Sequence, residues 1–81
     1  MMATVRLLYF ASLREAAGRD TEAVDSTAPD LTALYAEVAA RHDLHWPRER
    51  LRVAVDGAFA RWDDGLRDGS EVAFIPPVSG G

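Results

Sequence analysis

The chain of 81 residues predicts a small α+β domain, a mixed sheet of about five short strands packed by one main helix. Three observations carry that expectation. One segment alone, residues 31–39, has a helical apolar stripe, Leu31, Leu34, Tyr35, Val38 and Ala39 recurring at i, i+3, i+4, i+7 and i+8. Around it lie short runs of β-branched, aromatic and aliphatic residues, too short for core helices. Glycine, proline and aspartate punctuate the intervals between them.

Thr4-Val5-Arg6-Leu7-Leu8-Tyr9-Phe10 reads as the first strand, with Val5, Leu7 and Tyr9 on one face and Arg6, Leu8 and Phe10 on the other. Its end is thus apolar on both sides. Ser12 to Ala17 predicts a short helical turn closed by Gly18 in the left-handed conformation, and Thr21 to Asp25 a weak strand returning antiparallel to the first. Asp30, behind Pro29, is placed to cap the main helix, which is expected to end near Arg41-His42, ahead of Trp46-Pro47. Leu51 to Val55 alternates as a third strand, and Asp56-Gly57 is a two-residue hairpin signal leading into Ala58-Phe59-Ala60. Glu71 to Ile75 is the last strand, halted by Pro76-Pro77, which donate no ladder hydrogen bonds. A right-handed crossover lets the first and last strands lie side by side.

Composition narrows the function classes. Nine basic against thirteen acidic residues give a formal charge of −4, which argues against nucleic acid or an anionic membrane as the main partner and suits a basic protein surface. With no cysteine there is no disulfide framework and no thiolate chemistry of the chain's own. No stretch approaches the roughly 20 apolar residues that span a bilayer, so no membrane segment is expected and the reading is cytoplasmic. His42, Asp43 and His45 lack a further ligand in register, so no metal site is predicted. Asp63, Asp64, Asp68 and Glu71 miss the spacing of a calcium loop and read as turn residues. Trp46 and Trp62 are expected to close the ends of the core, and no serine, histidine and acid set points to a self-contained hydrolase.

The ending Phe74-Ile75-Pro76-Pro77-Val78-Ser79-Gly80-Gly81 asks for a different explanation. Two terminal glycines can thread a narrow channel, and a free carboxylate on such a stalk is a chemical handle. It can attack the α-phosphate of ATP to give an acyl-adenylate, which a sulfur nucleophile can then displace. Gly-Gly alone is also what a loose chain end looks like.

The order of elements, the Leu66-x-Asp68-Gly69-x-Glu71-Val72 turn, the opening Val5-Arg6-Leu7-Leu8-Tyr9-Phe10-Ala11 with Arg14-Glu15 and Gly18, and the Pro-Pro-Val-Ser-Gly-Gly ending together resemble the ubiquitin-like β-grasp sulfur carriers, most nearly the small subunits of molybdopterin synthase. The resemblance covers nearly the whole chain. It implies a β-grasp domain over residues 1–75 and a flexible tail over 76–81, with no cofactor bound. It further implies that Gly81 is adenylated, with ATP, by an E1-like activating enzyme and converted to a thiocarboxylate. Val78, Ser79 and Gly80 would then enter the active site of the large synthase subunit, in a hetero-oligomer expected to be a heterotetramer. There sulfur would pass to the precursor pterin, precursor Z, to build the molybdopterin dithiolene. The catalytic side chains would belong to the large subunit, and the docking patch would map to Phe10, Phe59, Ile75, Pro76 and Pro77. Related carriers for thiamine or cysteine synthesis, and protein modifiers of ubiquitin type, share the same terminus and remain alternatives.

Overall fold

A computed structural model describes residues 2–77. Strand β1 (Ala3–Tyr9) is followed by helix α1 (Ala11–Ala17), β2 (Thr21–Ser26), helix α2 (Leu31–His42), a 3-10 turn at Arg48–Arg50, β3 (Arg52–Val55), β4 (Ala58–Phe59) and β5 (Glu71–Ile75). The five strands form one sheet in the order β2-β1-β5-β3-β4. Strands β1 and β5 are parallel neighbours at its centre, and every other pairing is antiparallel. The first and last strands therefore lie side by side, as a right-handed crossover allows.

Period-two alternation decides which side chains go inward. Val5, Leu7 and Tyr9 of β1, Val53 of β3, and Val72 and Phe74 of β5 are buried against Leu31, Leu34, Tyr35 and Val38 of α2. Each such side chain removed from water contributes about 1.5–3 kcal/mol, which is how so short a chain holds a core at all. The core is crowned by rings. Phe74 meets Tyr35 edge-on at 5.1 Å and stacks on Trp62 at 6.0 Å with 4° between planes. Trp46 and Trp62 are both half-buried at its margin, as the sequence suggested.

Helix α2 starts where three of its unpaired first-turn amides, those of Leu31, Thr32 and Ala33, find acceptors, and Leu34 makes the first intrahelical bond. Leu31 donates to the Asp64 carbonyl, Thr32 to the Trp62 carbonyl, Ala33 to Asp30 Oδ1 at 2.9 Å and Leu34 to the Asp30 carbonyl. Its stop differs in cause from the one expected. The chain leaves the helix at Asp43, in the left-handed region with φ 55, and the Leu44 amide then donates to the Ala39 carbonyl at 2.9 Å. Trp46-Pro47 lies too far downstream to be the terminator.

The remaining turns follow their chemistry. Gly18 caps α1 at φ 75, and Asp56 and Gly57, at φ 51 and 85, both take the positive values that a tight hairpin with right-handed strands requires. Asp68 Oδ1 accepts from the Thr4 amide at 2.8 Å and the Gly69 amide donates to the Thr4 carbonyl at 2.7 Å, which fixes where β5 begins beside β1. Asp64 likewise serves a turn, its Oδ2 accepting from the Arg61 amide at 3.1 Å. Among the described residues no helix is long and apolar enough to cross a membrane.

Candidate docking groove and tail base

The sheet buries one face under α2 and leaves the other without a helix. Register places four apolar residues in one row across that outer face: Leu8 on β1 pairs with Ala73 on β5, Ala73 with Ala54 on β3, and Ala54 with Phe59 on β4. Three strand spacings make this row about 14 Å wide. Its centre is floored by two alanines and its ends are raised by larger side chains, which produces a groove of about 260 Å³. Ile75, next to Pro76, and Phe10 also line it.

Phe10 lies one residue beyond β1, at the N-cap of α1, and the chain then turns sharply through Ala11 at φ 51. Phe10 is 46% exposed and Phe59 69% exposed, so neither belongs to the core. Of the five partner-facing residues read from the sequence, Phe10, Phe59 and Ile75 line one groove, and Pro76 and Pro77 border a neighbouring hollow with Phe59 and Ile75. Alternation alone places Leu8 on this face, whereas nothing in the sequence marks Ala54 and Ala73 as part of it. An alanine carries the same sequence signal whether it floors a groove or fills a core.

Where β5 ends, Pro76 is buried and Pro77 exposed, so packing of the body extends one residue past the strand. A cavity of about 580 Å³ runs beside this point between Ser12 and Arg14 of α1 and Trp46 and Arg50 opposite. Trp46 Nε1 donates to Ser12 Oγ at 2.8 Å, tying the two walls together. On the other side of the prolines, Arg50, Arg52, Phe59 and Ile75 line a second hollow of about 290 Å³ that opens into the groove region through Phe59 and Ile75. Val78, Ser79, Gly80 and Gly81, named from the sequence as the reacting arm, lie outside the described residues.

Charged residues stand at both ends of the groove. Arg52, paired in register with Ile75, holds its guanidinium 5.5 Å from the centre of the Phe59 ring. At the opposite end Glu71 and Asp56 exchange backbone and side-chain hydrogen bonds, the Glu71 amide donating to Asp56 Oδ1 at 2.9 Å.

On the far side of the domain His42 sits in a network of its own. Its Nε2 lies 2.8 Å from Glu22 Oε1, to which the Tyr9 hydroxyl also donates at 2.8 Å, while Arg41 Nη1 approaches Glu22 Oε2 at 3.4 Å. Burial pushes the Glu22 carboxyl upward, but hydrogen bonds from His42 and Tyr9 and the charges of His42 and Arg41 outweigh it and hold Glu22 below the usual carboxylate range. Burial, reinforced by Glu22, drives the Tyr9 hydroxyl far above its ordinary value. Asp43 and His45 remain exposed at the helix end.

A helix clasped by a mixed sheet with parallel central strands is the ubiquitin-like β-grasp, here with one apolar outer face leading to the C-terminal prolines. A family model described as the ThiS family matches residues 7–81, and the chain belongs to that family. It is 39% identical over 80 residues to the molybdopterin synthase sulfur carrier subunit of Escherichia coli, covering 95% of this chain and 99% of that protein. Among solved structures it is similar to a putative molybdopterin converting factor subunit 1 from Pyrococcus furiosus, with a TM-score of 0.78 and 29% identity over 94% of this chain and 99% of that one. It is also similar, with a TM-score of 0.63, 26% identity and full coverage of both chains, to a chain in the complex of subunits 1 and 2 of molybdopterin-converting factor from Helicobacter pylori.

Proposed function

We propose that this chain is the sulfur-carrier subunit of molybdopterin synthase, a protein cosubstrate whose reacting group is the carboxyl of Gly81. The observation that carries the reading is the similarity, over 95% of this chain, to a carrier subunit of that name, 39% identical over 80 residues. The groove adds physical support, because an exposed apolar surface next to the base of the tail is what a domain needs to dock while an arm is inserted.

In this reading an E1-like enzyme lets the Gly81 carboxylate oxygen attack the α-phosphate of ATP, releasing pyrophosphate. The terminal sulfur of a persulfide then displaces AMP to give an acyl disulfide, and attack of a thiol on its outer sulfur breaks the S–S bond and releases the C-terminal thiocarboxylate. The large synthase subunit, the counterpart of subunit 2 in the Helicobacter pylori complex, binds the groove through Phe10, Phe59 and Ile75 and receives residues 78–81 in its active site. Tethering raises the effective concentration of the reactive sulfur at precursor Z and shields it from water. Pro76 and Pro77 stiffen the arm where it leaves the body. Catalytic side chains are supplied by the large subunit.

Intact-mass analysis of the chain, produced together with its activating enzyme, tests the chemistry. One oxygen replaced by sulfur at the C-terminus is expected, and an amide-linked conjugate in its place supports the modifier reading. The same preparation should retain the large synthase subunit on purification; capture of a thiamine- or cysteine-pathway enzyme instead would reassign the carrier.

A further inference from the structure

We propose that Arg50 and Arg52 form an anion-reading edge beside the tail base, and that it recognises carboxylates on the partner surface that receives the tail. The inference rests on the carrier reading above and deepens it by assigning the chemistry of one part of the docking surface.

The two residues bracket Leu51, which is buried, so the 3-10 turn and the start of β3 project both arginines outward. Both line the hollow against Pro76 and Pro77, together with Phe59 and Ile75. Each guanidinium is held over an aromatic ring, Arg50 at 5.7 Å from the Trp46 centre and Arg52 at 5.5 Å from that of Phe59. Stacking of this kind restrains the planar group without using its N–H donors, which stay available for a bidentate acceptor.

The chain has thirteen carboxylate side chains and a net charge of −4, so an internal acid for either arginine was easily supplied. Arg19, Arg41, Arg61 and Arg67 all have one within 4.0 Å. Among the described residues Arg6, Arg14, Arg48, Arg50 and Arg52 do not, and of these five only Arg50 and Arg52 line the hollow formed by Phe59, Ile75 and the two prolines. A positive edge on an acidic protein also orients the approach of a partner. An acidic segment is repelled by the net charge of −4 on the domain and attracted at the Arg50-Arg52 edge beside Pro76 and Pro77. Continuity with the groove through Phe59 and Ile75 favours one protein partner covering both.

The test is association kinetics between the full chain and the large synthase subunit of the same organism, measured over a series of ionic strengths. Arg50→Gln and Arg52→Gln are each expected to slow association about three- to tenfold at low salt, to flatten its salt dependence and to leave thermal unfolding unchanged. Arg61→Gln, altering an arginine already paired with Asp63, should change neither. Arg→Lys variants should recover the association rate while dissociating faster than the wild type, because a point charge steers but does not fork. Unchanged or faster association in both glutamine variants overturns the inference while wild-type binding keeps the carrier reading intact. Failure of the wild-type chain to bind the large subunit removes the carrier reading, and this assignment with it.

Discussion

Tyr9 and His42 meet on a single oxygen. Both lie 2.8 Å from Glu22 Oε1, with their rings edge-to-face at 5.7 Å, so one carboxylate joins β1, β2 and the end of α2. Because the folded state holds Glu22 below the usual carboxylate range, its contribution to stability is present above about pH 4.3 and is lost as pH falls through the depressed folded value. Glu22→Gln should therefore cost about 1–3 kcal/mol near neutrality, with the gap to the wild type closing in acid. Urea midpoints measured from neutral to acidic pH check this, and a pH-independent gap would contradict the coupling.

The tyrosines predict the opposite limb. Burial raises the hydroxyls of both Tyr9 and Tyr35, and these are the only two tyrosines in the chain. A raised group contributes stability in full below its unfolded value, about 10, and loses that contribution as pH climbs towards the folded one. Phenolate absorbance is expected to appear together with the loss of secondary structure on alkaline titration. A phenolate signal rising near pH 10 in a chain that is still folded would contradict the burial of these hydroxyls.

Phe74 tests the core. It is fully buried on the inner face of β5 and contacts both Tyr35 and Trp62, so Phe74→Ala leaves a cavity that two other rings cannot collapse to fill. A loss of about 3–5 kcal/mol is expected. For a domain of this size that is a fall in Tm of more than roughly 12 °C, at about 4–8 °C per kcal/mol. Calorimetry measures it directly.

Nearly all of this architecture was legible in the sequence, for reasons that differ by element. Helix α2 announced itself because its apolar stripe, its Asp30 cap and its flanking turns all agree. The parallel β1–β5 pairing followed from element order and handedness. What escaped was set by tertiary contact or by backbone geometry that no residue type demands. The left-handed stop at Asp43 occurs where glycine is the usual residue, and the 3-10 turn at Arg48–Arg50 has no side-chain cap to advertise it. In the sequence Glu22 is an ordinary strand residue, and only the tertiary contacts of β2 with the end of α2 set it apart. In the groove, aromatic residues on the non-core face were readable from alternation, but its alanine floor emerged only from the register of three strands.

Phe10 offers the sharpest separation of docking from folding. It occupies the N-cap of α1 with extended backbone and makes no side-chain capping bond, while its ring stands half-exposed at the lip of the groove. Aspartate is among the preferred residues at that position, since its carboxylate can accept from a first-turn amide of the helix. Phe10→Asp is thus expected to leave Tm within a few degrees of the wild type or to raise it slightly. The same change puts a charge against the apolar surface of any protein docked there, where burying an unpaired carboxylate is costly. Affinity for the large synthase subunit should fall about 30-fold or more, the loss seen when a central aromatic anchor is removed. Isothermal titration alongside thermal unfolding reads both quantities. A variant that unfolds would return Phe10 to the core, and one that stays folded and binds at full strength would move the docking surface away from this face.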